Sequence, residues 1–243
     1  MKKYLYVIGD IHGEYKLFAS LVKEYDEVTH QLVLIGDLID RGSRSKECLL
    51  LAKELVEKQG AIYLMGNHED LFLRFLKNPE DRFQNYLLNG GGETIESLLH
   101  QGAILEYSPS EISLMIQTRY KELIQFLEKL PVYYEWHHYL CVHAGVNLLL
   151  KDWKQTSVRD FLWIRKEFHE GKNNTNRVII FGHTPTGYLY QNMNRTSIWT
   201  SDDKIGIDGG GVYGGSIHGV LFNYQGIIQD IEYANPVQWE PKF

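Results

Sequence analysis

Tyr4-Leu5-Tyr6-Val7-Ile8-Gly9-Asp10-Ile11-His12-Gly13 is an apolar run of strand length that stops at a Gly-Asp pair. Leu17, Phe18, Leu21, Val22 and Tyr25 then recur at helical spacing, so the unit reads as strand, loop, helix. The same unit returns twice. Residues 32–35 end in Gly36-Asp37 and lead to Cys48, Leu49, Ala52, Leu55 and Val56; residues 61–65 end in Gly66-Asn67-His68 and lead to Leu71, Phe72, Phe75 and Leu76. Alternation of this kind predicts a largely parallel sheet covered by helices.

Further along, from about residue 78 to 129, the strand pattern gives way to helical periodicity, clearest at Ile112, Met115, Ile116, Leu123, Ile124 and Leu127, and a helical insertion is expected there. Strands are predicted again at 131–136, 139–142, 178–181 and 205–207, with a helical stretch near 158–168. Residues 217–224 and 227–233 alternate β-like runs with Gly and Asn turns, which predicts hairpins forming a second sheet. No low-complexity linker divides the chain, so residues 1–243 are expected to form a single domain carrying the insertion.

A chain of 243 residues can bury a sizeable core without disulfides. Cys48 and Cys141 each stand inside an apolar run, far apart and without CxxC spacing, which suits reduced thiols packed in a core. The run at residues 4–8 meets Gly9-Asp10 too early for an export segment, and no run approaches membrane-spanning length; a cytoplasmic protein with no membrane partner is expected. The formal charge of −6 and the lack of a basic, aromatic-rich stripe argue against a nucleic-acid partner.

The side chains able to bind metal collect at the ends of the predicted strands. Asp10 and His12 follow the first, Asp37 and Asp40 the second, Asn67 and His68 the third, and His143 and His183 later ones. In an open α/β sheet the crevice beyond the carboxyl ends of the strands gathers residues distant in sequence into one pocket. Oxygen and imidazole donors without a thiolate favour Mn, Fe or Zn in a hydrolytic site over a structural zinc site. The donors exceed the needs of one tetrahedral ion, so two divalent ions, manganese first among them, are expected. Taken singly, a Gly-Asp after a strand is a turn and a lone His is a hydrogen-bonded structural residue; only the ensemble points to a metal centre.

Gly9-Asp10-Ile11-His12-Gly13, Gly36-Asp37-Leu38-Ile39-Asp40-Arg41-Gly42, Gly66-Asn67-His68-Glu69, Val142-His143-Ala144-Gly145 and Gly182-His183-Thr184 resemble the ordered motifs of the calcineurin-like metallophosphoesterases. Their Asp-Arg-Gly and Asn-His-Glu forms, with Pro185 where many relatives carry a further histidine, resemble the serine/threonine protein phosphatase branch, and in particular its bacterial members. The resemblance implies a four-layer α/β/β/α sandwich. It implies that Asp10 and His12 bind one ion, that Asn67, His143 and His183 bind the other, and that Asp37 bridges them. His68 would then be the general acid, Asp40 its orienting partner, and Arg41 and Arg165 the holders of phosphate through their planar forks.

Tyr213, in the glycine-rich stretch 207–215, is expected to line the phosphate pocket. That stretch lacks the Lys-Ser/Thr ending of a P-loop. Glu69 is expected to support the start of the third helix. His137 and His138, read as neighbours on a strand, would point to opposite faces and are expected to be structural. His30, His100 and His169 are expected at the surface or in caps. The implied activity is hydrolysis of phosphoserine, phosphothreonine or related phosphomonoesters by metal-activated water, with a phosphorylated protein or a small phosphoester as partner. Hydrolysis of dinucleoside polyphosphates such as diadenosine tetraphosphate is the alternative. A catalytically dead binding scaffold would have lost ligands or the general acid, and none is missing here.

Overall fold

The computed structural model describes residues 2–234. The three sequence units become β1 (Tyr4–Ile8), α1 (Tyr15–Val22), β2 (His30–Leu34), α2 (Ser45–Gln59), β3 (Ile62–Tyr63) and α3 (Asn67–Lys77). Five helices follow: α4 (Pro79–Leu88), α5 (Gly91–Leu98), α6 (Ala103–Glu106), α7 (Pro109–Arg119) and α8 (Lys121–Leu127). Local signals account for several boundaries. Gly60 closes α2 with a φ of 69°, a conformation that costs glycine little. Ser108 caps α7 in a reciprocal box with Glu111, and Pro109 stands in the first turn, where its missing N–H is not needed.

The second half contains β4 (Tyr133–Trp136), β5 (Tyr139–Val142), α9 (Val158–Trp163), α10 (Lys166–His169), β6 (Val178–Phe181), α11 (Thr186–Leu189), β7 (Trp199–Ser201), β8 (Lys204–Gly206), β9 (Asp208–Gly209), β10 (Ser216–Asn223) and β11 (Gly226–Ala234). One sheet runs β11-β10-β1-β2-β3, with β9 on β10, and the other runs β4-β5-β6-β8-β7. β1, β2 and β3 are mutually parallel, as are β5, β6 and β8.

The two sheets pack face to face. Leu5, Val7, Val33 and Phe222 of the first sheet meet Tyr139, Cys141, Ile180 and Ile205 of the second. The alternate residues Tyr6, Ile8, Leu32 and Leu34 face α1 to α8, and Leu140, Val142, Ile179 and Phe181 face α9 and α10. A period of two therefore sorts each strand's side chains into two different cores and generates the four-layer α/β/β/α sandwich. Cys48 lies in the first helical core and Cys141 between the sheets, so both thiols are buried and unpaired.

Three expectations are corrected. The β10–β11 hairpin does not found the second sheet; β10 adds to the free edge of β1, pairing Val7 with Val220, and the second sheet grows from β4 to β8. The helix expected near 158–168 breaks at Ile164 and Arg165, where the backbone is extended and then irregular. His137 and His138 are the two-residue turn between β4 and β5 rather than strand residues, with His137 at a φ of 54°.

Candidate metal centre

All the expected ligand-bearing loops converge beyond the carboxyl ends of β1, β2, β3, β5 and β6. Two groups of donor atoms, each within 4.8 Å, share one residue: His12, Asp37 and His68 in the first, Asp37, His143 and His183 in the second. Asp37 Oδ2 lies 3.7 Å from His12 Nε2, 3.9 Å from His68 Nε2 and 3.4 Å from His143 Nε2. Asn67 Oδ1 joins the second group, 2.9 Å from His143 Nε2 and 2.8 Å from His183 Nδ1. Asp10 stands outside both groups but next to the second, where its carboxylate accepts the His183 backbone N–H at 3.0 and 3.2 Å.

Several features prepare these donors for cations. His12 Nδ1 is committed to the Ile39 carbonyl at 2.8 Å, which leaves Nε2 as the lone-pair nitrogen. His143 Nδ1 is tied to the Ile35 carbonyl at 2.9 Å in the same way. His183 turns Nδ1 toward Asn67 Oδ1 and the donor group, while its Nε2 is buried without a partner among the described residues. Ligands about 2.1 Å from one ion and at right angles to each other lie about 3 Å apart, close to the Asn67–His143 and Asn67–His183 separations. The residues present fit divalent ions.

The charges point the same way. Burial alone would raise Asp37, but His143 and His68 outweigh it and hold the carboxylate well below the usual range. Burial opposes the charge on His143, yet Asp37 and Asp10 overcome it and bring the imidazole to about 9. Burial, then Arg41 and His68, push His12 well down, and burial with His143 and Arg165 does the same to His183. Asp10 is raised by burial and by the neighbouring charge of Asp208, and Asp208 is itself raised chiefly by burial. Two desolvated carboxylates side by side are relieved by a cation between them.

His68 Nδ1 meets Asp40 Oδ2 at 2.6 Å, with its Nε2 turned toward Asp37. Asp40 Oδ1 accepts from the Tyr86 hydroxyl at 2.7 Å and the Thr94 hydroxyl at 2.6 Å, so the helical segment reaches into the centre. Glu69 does more than start α3: its carboxylate accepts the backbone N–H groups of Gly66, Asp37 and Leu38 and the Tyr63 hydroxyl. Arg41 donates its backbone N–H to Gly90 O at 3.0 Å, sets its guanidinium 2.5 Å from His12 Nε2, and lies 5.3 Å from the Tyr213 ring centre. Arg165 Nη1 donates to Thr184 Oγ1 at 2.9 Å. Arg41, Arg165, Tyr213, His12, His183 and Asp208 all line one cavity of about 770 Å³.

Backbone strain collects here as well. Ten non-glycine residues among those described have positive φ, and five of them are His12, Asp37, Asp40, Arg41 and His183. Each such residue costs on the order of 1–3 kcal/mol and persists only where its surroundings over-determine it. Two glycines are required by the same crowding: a Cβ at Gly66 would strike the Asp37 carboxylate, and one at Gly182 would strike that of Asp10.

Sequence reasoning missed Asp208, Tyr86 and Thr94. Asp208 carried the signal used elsewhere, an acid where an apolar strand ends at glycine. Tyr86 and Thr94 carried none, since their role depends on how α4 and α5 fold back. His169 was expected at the surface or in a cap; it is half-buried, stacks on Phe181 and lines the cavity, and burial first and then Arg165 push it down to about 4. His218 stays clear of the donor groups, held by Asp230 and the Thr196 carbonyl.

Comparison with known proteins matches the calcineurin-like phosphoesterase family over residues 4–216. The asymmetrical bis(5'-nucleosyl)-tetraphosphatase PrpE of Geobacillus sp. (strain WCH70) is 27% identical, with 97% of this chain and 96% of that protein aligned. Serine/threonine-protein phosphatase 1 of Salmonella typhimurium is 26% identical over 88% of this chain and 90% of its own length. Among solved structures, a metallophosphoesterase from Sphaerobacter thermophilus superposes with a TM-score of 0.54 at 16% identity, covering 98% of this chain and 89% of that one, which supports the fold. No helix among the described residues is long and apolar enough to cross a membrane.

Proposed function

Because this chain belongs to the calcineurin-like phosphoesterase family, we propose that it hydrolyses phosphoserine, phosphothreonine or related phosphomonoesters at a centre of two divalent cations, manganese first, with iron or zinc as alternatives. The observation that carries this reading is Asp37, shared by two donor groups, one of which includes His68 hydrogen-bonded to Asp40. Asp10, His12 and Asp37 would hold one cation, and Asp37, Asn67, His143 and His183 the other. When bound, such ions polarise phosphoryl oxygens and lower the pKa of a coordinated water.

The chain's own residues do the rest. Asp40 fixes the His68 ring by accepting from Nδ1, and Tyr86 and Thr94 fix Asp40 in turn, so His68 Nε2 is held toward the centre to give its proton to the leaving oxygen. Arg41 and Arg165 grip the phosphate from the cavity side, and Tyr213 packs against Arg41. A complete set of ligands, acid and phosphate-binding arginines disfavours an inactive scaffold. Residues 1–243 act as one domain with an inserted helical segment at about 78–129, and a cytoplasmic location fits a substrate pool of phosphoproteins or small phosphoesters.

A second reading, hydrolysis of dinucleoside polyphosphates, is favoured by the 770 Å³ cavity, which could receive a nucleoside beyond the arginines, and by the tetraphosphatases among the relatives. Turnover of a phosphoserine peptide, p-nitrophenyl phosphate and diadenosine tetraphosphate by manganese-loaded protein, with Asp37→Asn as control, decides between them. Peptide or aryl phosphate turnover abolished in the variant is expected. A large preference for the dinucleotide would move the substrate to the second reading, and silence on all three with metal bound would sink both.

A further inference from the structure

A second cavity, of about 570 Å³, lies between α3, α4 and α9, and Arg74, Arg82 and Arg159 line it from three different helices. The only acid on its wall, Asp70, is already paired with Arg74 at 2.7 Å. Arg82 and Arg159 have no carboxylate partner among the described residues, so the wall carries two uncompensated positive charges on a chain whose formal charge is −6. The three arginines are exposed, and guanidinium groups brought together from separate helices with a single acid among them favour an anion from solvent.

The cavity shares its wall with the metal centre. Tyr86, which lines it, donates to Asp40, the partner of His68. Trp163, also on the wall, packs its ring edge-on against His183 with 5.8 Å between centres. His68 and Arg74 belong to α3 and are six residues apart, about 9 Å along the axis. A leaving group that extends past Tyr86 and Trp163 would bring its far end to this cavity, while the scissile phosphate is gripped from the Arg41 side.

We propose that this arginine-lined cavity is a second anion subsite, taking a phosphate or carboxylate carried by the leaving group of the same substrate. It rests on the phosphoesterase reading for its function, but the binding it describes is a property of the cavity alone. The anion would be either an acidic or phosphorylated side chain near the scissile residue of a peptide, or a further phosphate of a nucleoside polyphosphate. An aryl phosphate has no such group and gains nothing from the subsite.

The test is the double variant Arg82→Ala/Arg159→Ala, neither residue belonging to the catalytic machinery. With manganese-loaded protein, KM is expected to rise about tenfold for an acidic phosphoserine peptide or for diadenosine tetraphosphate, with kcat retained and p-nitrophenyl phosphate turnover within twofold of wild type. Whichever substrate suffers identifies the source of the anion. Equal KM values in wild type and variant for all three substrates, or an equal loss on all three, would overturn the subsite. Calorimetric titration of tripolyphosphate into metal-free protein is the arm independent of turnover: weaker binding by the double variant is expected, and identical isotherms would overturn the proposal even if the enzyme proved inactive on every ester tried.

Discussion

Where β2 and β3 end, the polar groups beside Asp37 are held from several sides: Asp40 by Tyr86, Thr94 and His68, and the loop carrying Asp37 by Glu69. Where β5 and β6 end, the wall is looser. His183 keeps an orphan Nε2, Arg165 rests on a single hydroxyl of Thr184, and a cavity of about 770 Å³ opens alongside. The first wall has the rigidity that proton transfer at a fixed distance demands, and the second has the open space that a variable substrate demands. On the proposed function, one centre separates chemistry from recognition by how completely its polar groups are partnered.

The strongest way to break that comparison is His68→Asn. If the first wall carries the chemistry, kcat on p-nitrophenyl phosphate should fall by about 10²–10⁴-fold while manganese binding survives. A variant that retained kcat would leave the Asp40 network without a catalytic purpose. Glu69→Gln comes next, because it loosens the backbone that presents Asp37; a loss of about 10–100-fold in manganese affinity is expected by calorimetry, and unchanged affinity would show the carboxylate serves stability alone. Arg165→Ala, on the looser wall, should raise KM by about tenfold with a smaller change in kcat. A fall in kcat alone would make that wall part of the chemistry and erase the contrast.

The smallest expected effect lies away from both walls. Burial works against charging His218, but Asp230, bonded to Nδ1 at 2.8 Å, and the Thr196 carbonyl, 2.7 Å from Nε2, raise it, with Glu232 3.9 Å away adding to the effect. A raised folded-state pKa gives stability that is fully present below the ordinary value of about 6.5 and lost as pH rises through the folded value. The melting temperature of wild type should therefore exceed that of His218→Gln most in mild acid, and the gap should shrink toward alkaline pH. A gap that widened with pH would reverse the assignment of charge.

The sequence by itself determined the strand-loop-helix units, the parallel pairing they imply and the positions of Asp10, His12, Asp37, Asn67, His68, His143 and His183, because strand ends and glycine turns are written locally. It also marked Arg41, Arg165 and Tyr213, which all reach one cavity. Only the tertiary structure decided which edge β10 would join, since its apolar alternation suits either sheet and the choice depends on which strand edge is free. The break at Arg165 was equally out of reach, because a helical pattern runs through it. The same holds for Tyr86, Thr94 and Glu69 around the His68–Asp40 pair and the shared loop: their value lies in contacts across 46, 54 and 32 positions of chain, and a hydrogen bond closed over that distance leaves no mark in local spacing.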